Sequence, residues 1–273
     1  MSLSAPELRA RKRRRGAAPI VMVTAYDEPA ARYVDAAGVD AILVGDSLAN
    51  VVLGHADTLH VSVEEIAHHV RAVAAARPQA HLVADMPWLS YHLGALDAVR
   101  NAAILVRAGA QAVKLEGGRE RVEVIRALID AEIPVMGHVG LTPQSMLAFG
   151  GFKVQARTRE AVDRLLEGAI AVQEAGAYAI VVEGVPGVVG TAVTEALEIP
   201  TIGIGAGPDT DGQVLVFHDL LGLSGRPTAK FVRAYADLGT AITEAVTHYR
   251  DDVREGRFPG PGETYATPAG LAE

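Results

Sequence analysis

Three stretches of this chain repeat one pattern: a glycine, a short apolar run, and an acidic residue at its end. They read AAGVDAILVGD (36–46), RAGAQAVKLEG (107–117) and EAGAYAIVVEG (174–184). Gly38, Gly109 and Gly176 lead them, and Asp46, Glu116 and Glu183 close the apolar runs. A fourth run, AHLVADMP (80–87), closes on Asp85. Glycine after a helix takes the left-handed turn that side chains resist. Apolar runs without alternation, spaced by helical stretches, read as strands covered on both faces, as in parallel sheets. The pattern therefore demands an αβ repeat with acids at the C-terminal ends of its strands. In a closed barrel that end is the mouth where chemistry is done.

Eight strands are expected, near 20–24, 40–45, 81–85, 111–116, 133–137, 178–183, 200–204 and 214–218. Helices are expected at 28–37, 62–76, 94–108, 119–131, 158–175, 187–197 and 229–254. The clearest is 62–76, where Ser62 and Glu65 have the spacing of a capping box. Val63, Ile66, Ala67, Val70 and Val73 line one face of it, and His68 falls on the solvent side. Eight alternating units in 273 residues predict an α/β fold of the (β/α)8 TIM-barrel type, in a single domain. No G-x-G-x-x-G turn follows the first strand, which counts against a dinucleotide fold. The barrel is assigned to 19–255, after a basic arm at 1–18 and before a Gly/Pro-rich tail at 256–273. The stretch 138–157 is long for a connection and suits a lid over the active face.

A net charge of −8 argues against nucleic acid or an anionic membrane as a partner. The absence of cysteine excludes disulfides and thiolate metal sites. No stretch reaches the length of a spanning helix. Arg11–Arg15 before GAAPIVMVTAY imitates an export signal. No cleavage site follows, so a solvated basic arm on a cytoplasmic protein is expected.

The acids carry the chemistry. Asp46 and Asp85 end neighbouring strands, and two adjacent carboxylates repel unless a cation or proton lies between them. With oxygen donors only, Mg²⁺ is the natural cation. Glu116 is positioned to supply a third oxygen, directly or through water. The bland alternative is that these acids sit at helix N-termini. Lys114 leaves the same strand face as Glu116, two residues away. It can hold a substrate carboxylate or an enolate, form a structural pair with Glu116, or act as a Schiff-base amine. Glu183, across the mouth, suits a general base or, less interestingly, a helix cap. His138 reads equally as a donor to a substrate oxygen and as a satisfied buried histidine. Ser47 can grip a carboxylate or cap a helix. The glycine run IGIGAG (202–207) is a weak phosphate signal that a tight loop also explains.

The motifs VTAYD, LVGDS, VADMP, VKLEGG, GHVGLTPQS, GGFKVQ and IGIGAG–TDGQ–HD, in this order, resemble the ketopantoate hydroxymethyltransferase family of the phosphoenolpyruvate/pyruvate-type barrels. The likeness runs from about Val21 to about Arg257. It implies Mg²⁺ on Asp46 and Asp85, with Glu116 in the metal shell. It implies a 2-oxoacid held by Asp46, Ser47, Asp85 and Lys114, and Glu183 as proton acceptor. The implied reaction moves a hydroxymethyl group from 5,10-methylenetetrahydrofolate to 3-methyl-2-oxobutanoate through a Mg-stabilised enolate. The implied assembly is a homodecamer. The runner-up is a related Mg-dependent lyase or mutase of that barrel group. Such enzymes typically use a catalytic-loop cysteine, which this chain lacks.

Overall fold

The computed structural model describes residues 2–12, 16–151, 153–225 and 228–268. Eight parallel strands close a barrel in sequence order: β1 (Ile20–Thr24), β2 (Ala41–Val44), β3 (His81–Asp85), β4 (Ala112–Lys114), β5 (Val135–Gly140), β6 (Ala179–Glu183), β7 (Thr201–Ile204) and β8 (Gly212–Leu215). β8 pairs back on β1, with Met22 beside Val214. The helices are α1 (Ala5–Arg9), α2 (Glu28–Ala36), α3 (Leu48–Val51), α4 (Val63–Ala75), α5 (Ala95–Ala108), α6 (Val122–Asp130), α7 (Met146–Phe149), α8 (Arg159–Glu174), α9 (Gly187–Ala196), α10 (Phe217–Leu220) and α11 (Leu238–Arg254). This is the TIM-barrel architecture that the repeated strand motif predicts.

Local chemistry explains the boundaries. Ser62 and Glu65 form the capping box at the start of α4, with Ser62 N–H donating to Glu65 at 2.8 Å. The leading glycines Gly38, Gly109 and Gly176 have φ of 76°, 122° and 110°, which a β-carbon would oppose. β5 runs later than the expected 133–137, because the chain still turns at Glu132, whose φ is 62°. β8 begins two residues earlier than expected, since Gly212 packs its bare Cα against the Ile20 backbone, where a β-carbon would lie 2.4 Å from the Ile20 oxygen. The last helix starts at Leu238 rather than near 229, where the Asp237 carboxylate caps it by accepting from Thr240 N–H.

The chain divides into two compact units. One comprises Met1–Phe217 and Ala229–Val232, and the other His218–Thr228 and Arg233–Glu273. The boundary falls inside the 19–255 segment that the sequence assigns to one barrel. In the second unit α11 carries an exposed apolar row of Ile242, Val246, Tyr249 and Val253, and Tyr249 meets the Phe258 ring edge-on at 5.3 Å. Among the described residues no helix is long and apolar enough to cross a membrane.

Within the first unit, the barrel interior is filled by Ile20, Met22, Leu43, Val83, Met136, Val181, Ile202 and Val214. Ala5 and Leu8 of α1 join this cluster. The basic arm is thus not simply solvated. Lys12 is buried, and its ammonium bonds Asp211 at 2.7 Å and the Thr194 carbonyl at 2.7 Å. His81 accepts from Tyr178 and donates to the Leu3 carbonyl, at 3.0 and 2.9 Å, which pins the segment before α1. Arg13, Arg14 and Arg15 lie outside the described residues. Removing one member of a fully buried ion pair strands the other charge, at a cost of about 3–5 kcal/mol. Thr201 N–H and Oγ1 also donate to Asp211, at 2.8 and 3.0 Å, which softens the loss. Lys12→Met is therefore expected to lower the unfolding free energy by about 3 kcal/mol in urea denaturation. An unchanged midpoint would show that the pair adds nothing.

Candidate active site

Parallel pairing sets the strand ends side by side, and the inward positions at the C-terminal mouth carry the polar residues. Asp85 and Lys114 are direct partners in the β3–β4 register, and their side chains form an ion pair at 2.6 Å. Lys114 therefore pairs with Asp85, and the pair with Glu116, which its spacing left open as the bland alternative, is not the ion pair it makes. Asp46, two residues past β2, donates its backbone N–H to Asp85 Oδ2 at 3.0 Å. A β-carbon on Gly45 would lie 2.9 Å from Ser47 Oγ and 3.3 Å from Asp85 Oδ2, so glycine keeps this cradle open.

Ser47 sits at the start of α3 but makes no side-chain cap. Its hydroxyl meets Tyr26 OH at 2.8 Å instead, which settles the choice against helix capping. Glu183 also caps nothing, since α9 begins after Pro186 without a side-chain cap. Its Oε2 lies 3.2 Å from His138 Nε2, and His138 Nδ1 lies 3.4 Å from Glu116 Oε1 and 3.3 Å from Lys114 Nζ. His138 is thus a bridge between two carboxylates on opposite sides.

Asp46, Ser47, Asp85, Lys114, Glu116, His138 and Glu183 all line one cavity of about 150 Å³. Leu43, Val181, Ile204, Val214 and Val216 line the same space and supply apolar lining. A larger cavity of about 660 Å³ lies between the turn after β4, the β5–α8 connection and α8. It holds none of these seven residues, so the smaller cavity is where the chemistry can occur. The IGIGAG glycines serve backbone packing: Gly207 has φ of 84°, and a β-carbon there would lie 2.7 Å from the Gly187 Cα. Gln144, Tyr91 and Tyr26 went unassigned in the sequence. All three lie within or beside the quoted motifs, but nothing in the spacing shows that the Gln144 amide reaches back to Asp46, at 2.8 Å.

The electrostatics are dominated by burial. Burial, then the charges of Asp85 and Glu116, hold the Asp46 carboxyl well above the usual carboxylate range. Asp85 is also raised by burial, with Lys114 opposing the shift. Burial alone would lower Lys114, but Asp85, Glu116 and Asp46 outweigh it and hold the ammonium charged. Burial and the Lys114 charge push His138 down, yet its bonds to Glu116 and Glu183 carry it up to about 9.

Among the described residues no three acids or histidines converge closely enough to hold a metal ion by themselves. Mg²⁺ does not require that, because it takes one or two carboxylates and fills its octahedron with water and substrate oxygens. Asp46 and Asp85 fit this demand, and their mutual repulsion is what a divalent cation would relieve. Glu116 is otherwise engaged. Its Oε2 accepts from Gln144 N–H at 3.0 Å, and Oε1 faces His138.

Buried carboxylates around a lysine, at the C-terminal mouth of a closed parallel barrel, define a barrel enzyme built for a small anionic substrate on which charge develops. The chain belongs to the ketopantoate hydroxymethyltransferase family, which it matches over residues 3–261. It is 53% identical to the 3-methyl-2-oxobutanoate hydroxymethyltransferase of Koribacter versatilis, over 92% of this chain and 85% of that protein. It is 57% identical to the enzyme of the same name from a Methylobacterium species, over 91% of this chain and 86% of that protein. In fold it resembles the crystal structure of 2,3-dimethylmalate lyase, a member of the PEP mutase/isocitrate lyase superfamily. The TM-score is 0.60 at 21% identity, covering 98% of this chain and 93% of that one, and it speaks to fold alone.

Proposed function

We propose that this chain is a 3-methyl-2-oxobutanoate hydroxymethyltransferase that takes its one-carbon unit from 5,10-methylenetetrahydrofolate and yields 2-dehydropantoate and tetrahydrofolate. The observation that carries the reading is one cavity lined both by acids with Lys114 and by the apolar side chains Leu43, Val181, Ile204 and Val214. A branched 2-oxoacid likewise joins an anionic end to an apolar one.

Asp46 and Asp85 would hold Mg²⁺, with Glu116 in its outer shell. When bound, the cation acts as a Lewis acid on the oxoacid and makes the C3 hydrogen more acidic. Ser47, held by Tyr26, donates to the substrate carboxylate. Lys114, kept charged by its acidic neighbours, faces the keto oxygen and gains attraction as that oxygen becomes negative. His138 holds one oxygen of Glu183, which leaves the other to take the C3 proton. The electron pair left on C3 attacks the methylene carbon as one of its two C–N bonds to folate breaks, and the nitrogen so released takes up the proton that Glu183 carried. Water then displaces the second nitrogen, leaving its hydroxyl on the new carbon and its remaining proton on the departing tetrahydrofolate. The apolar lining residues receive the isopropyl group and keep water from C3. By family likeness the enzyme works as a homodecamer.

Purified protein is expected to turn over 3-methyl-2-oxobutanoate with methylenetetrahydrofolate and Mg²⁺, and to stop when EDTA is added. Asp46→Asn and Asp85→Asn are each expected to fold, to lose Mg²⁺ binding in calorimetry and to lose turnover. Mg²⁺ binding retained in both variants would move the metal elsewhere. Absence of turnover in the wild type would sink the whole reading.

A further inference from the structure

We infer that Gln144 is a positioning residue that aims the Asp46 carboxylate for Mg²⁺, with Tyr91 fixing its orientation. This rests on the metal reading above and adds two residues that the reaction scheme does not use. Gln144 lies in the 3₁₀ turn Pro143–Ser145, within the connection from β5 to α8, and is buried. Its backbone N–H donates to Glu116 Oε2 at 3.0 Å. Its amide nitrogen donates to Asp46 Oδ2 at 2.8 Å and to the Met86 carbonyl at 3.0 Å. One residue from the β5 loop thus grips acids that follow β2 and β4.

The direction of the amide follows from counting protons. Glu116 N–H approaches Tyr91 OH at 3.3 Å, and a backbone amide can only donate. Tyr91 therefore accepts there and sends its own proton to Gln144 Oε1, at 2.5 Å. With Oε1 fixed as the acceptor, Nε2 must face Asp46. Both of its hydrogens are then committed, one to Asp46 and one to Met86. Tyr91 is itself held, with the Arg121 guanidinium 5.3 Å from its ring centre and Arg121 Nε bonded to the Glu116 carbonyl at 3.2 Å.

A glutamine suits this task for a physical reason. A lysine or arginine bonded to Asp46 would neutralise it and compete with a metal for its charge. A neutral amide orients one oxygen of the carboxylate and leaves the negative charge for the cation through the other. Groups that orient metal ligands commonly contribute 10- to 100-fold in metal affinity.

The alternative is that Gln144 merely satisfies buried polar groups and supports folding. Calorimetric titration of Mg²⁺ into the full-length protein with 3-methyl-2-oxobutanoate, without folate, separates the two. Gln144→Leu is expected to weaken Mg²⁺ binding about 10- to 100-fold. Tyr91→Phe keeps the packing, frees the amide to turn over, and is expected to weaken Mg²⁺ binding less. The double variant is expected to match Gln144→Leu, since Tyr91 acts mainly through Gln144. Thermal melts run on each variant give the structural readout. A lower melting temperature with unchanged Mg²⁺ affinity in Gln144→Leu would overturn the inference. If that variant does not fold, unchanged Mg²⁺ affinity in Tyr91→Phe overturns it instead. Wild-type protein that binds no Mg²⁺ would remove the metal reading itself, a result distinct from either.

Discussion

Glu183→Gln is expected to abolish removal of the C3 proton while leaving the oxoacid bound. Glutamine keeps the size of the side chain, and its carbonyl oxygen can still accept from His138 Nε2, which lies 3.2 Å from the carboxylate in the native site. What it loses is the ability to take a proton. A positioned base typically contributes about 10²–10⁴ in rate. Measurement needs no folate: exchange of the C3 hydrogen of 3-methyl-2-oxobutanoate is followed in D₂O with Mg²⁺ present. The wild type should exchange it, and the variant should be slower by about that factor. Exchange at the wild-type rate would remove Glu183 as the base and leave His138, its hydrogen-bond partner, as the next group to test. Oxoacid binding in calorimetry should persist, because Glu183 holds neither the metal nor the carboxylate in this scheme.

The barrel was legible because its signal is local and repeated. Gly38, Gly109 and Gly176 mark helix ends by backbone conformation alone, and the apolar runs after them need no partner to be recognised. The acids were legible for a related reason. In a parallel barrel the C-terminal ends of strands must meet, so Asp46, Asp85, Lys114 and Glu183 converge whatever the details of packing. What was not legible is what a tertiary partner decides. Lys114 and Glu116 are two residues apart, yet register places Lys114 beside Asp85 instead. Lys12 reads as one more charge in a basic run, until Asp211 is known to lie 2.7 Å away across the barrel floor. The Asp237 cap that shortens the last helix is a local signal, but the apolar periodicity upstream of it hides the boundary.

Gln144 illustrates the limit more sharply. It stands in the segment expected to be a lid, and its side chain reaches an acid 98 positions earlier in the chain. No spacing rule connects the two. The residue type carried a hint only in retrospect, because a buried amide must find partners for all of its donors and acceptors. His138 was open between two roles, and the structure supports a third emphasis. With ring nitrogens 3.4 and 3.2 Å from Glu116 and Glu183, it bridges these two carboxylates.

Lys114→Met is expected to slow enolisation far more than it weakens Mg²⁺ binding. The ammonium lies 2.6 Å from Asp85 and is kept charged by three surrounding acids, so its first effect on the site is to offset their charge. Methionine preserves the length of the stem and fills the same buried space. With the ammonium gone, Asp85 no longer shares its charge with a lysine, so Mg²⁺ should bind at least as well as before. The keto oxygen loses the ammonium that meets it as negative charge grows. Removal of such a preorganised donor costs about 10²–10³ in kcat. C3–H exchange should fall by that order, with a smaller rise in the oxoacid KM and no change in the folate KM. A change confined to the folate KM would show that Lys114 acts on the other substrate. A Schiff base offers the competing role, and it requires a neutral amine, which the acids around Lys114 oppose. Borohydride added to wild-type enzyme with 3-methyl-2-oxobutanoate should therefore trap nothing on Lys114. A reduced adduct at that position would replace electrostatic stabilisation with covalent catalysis.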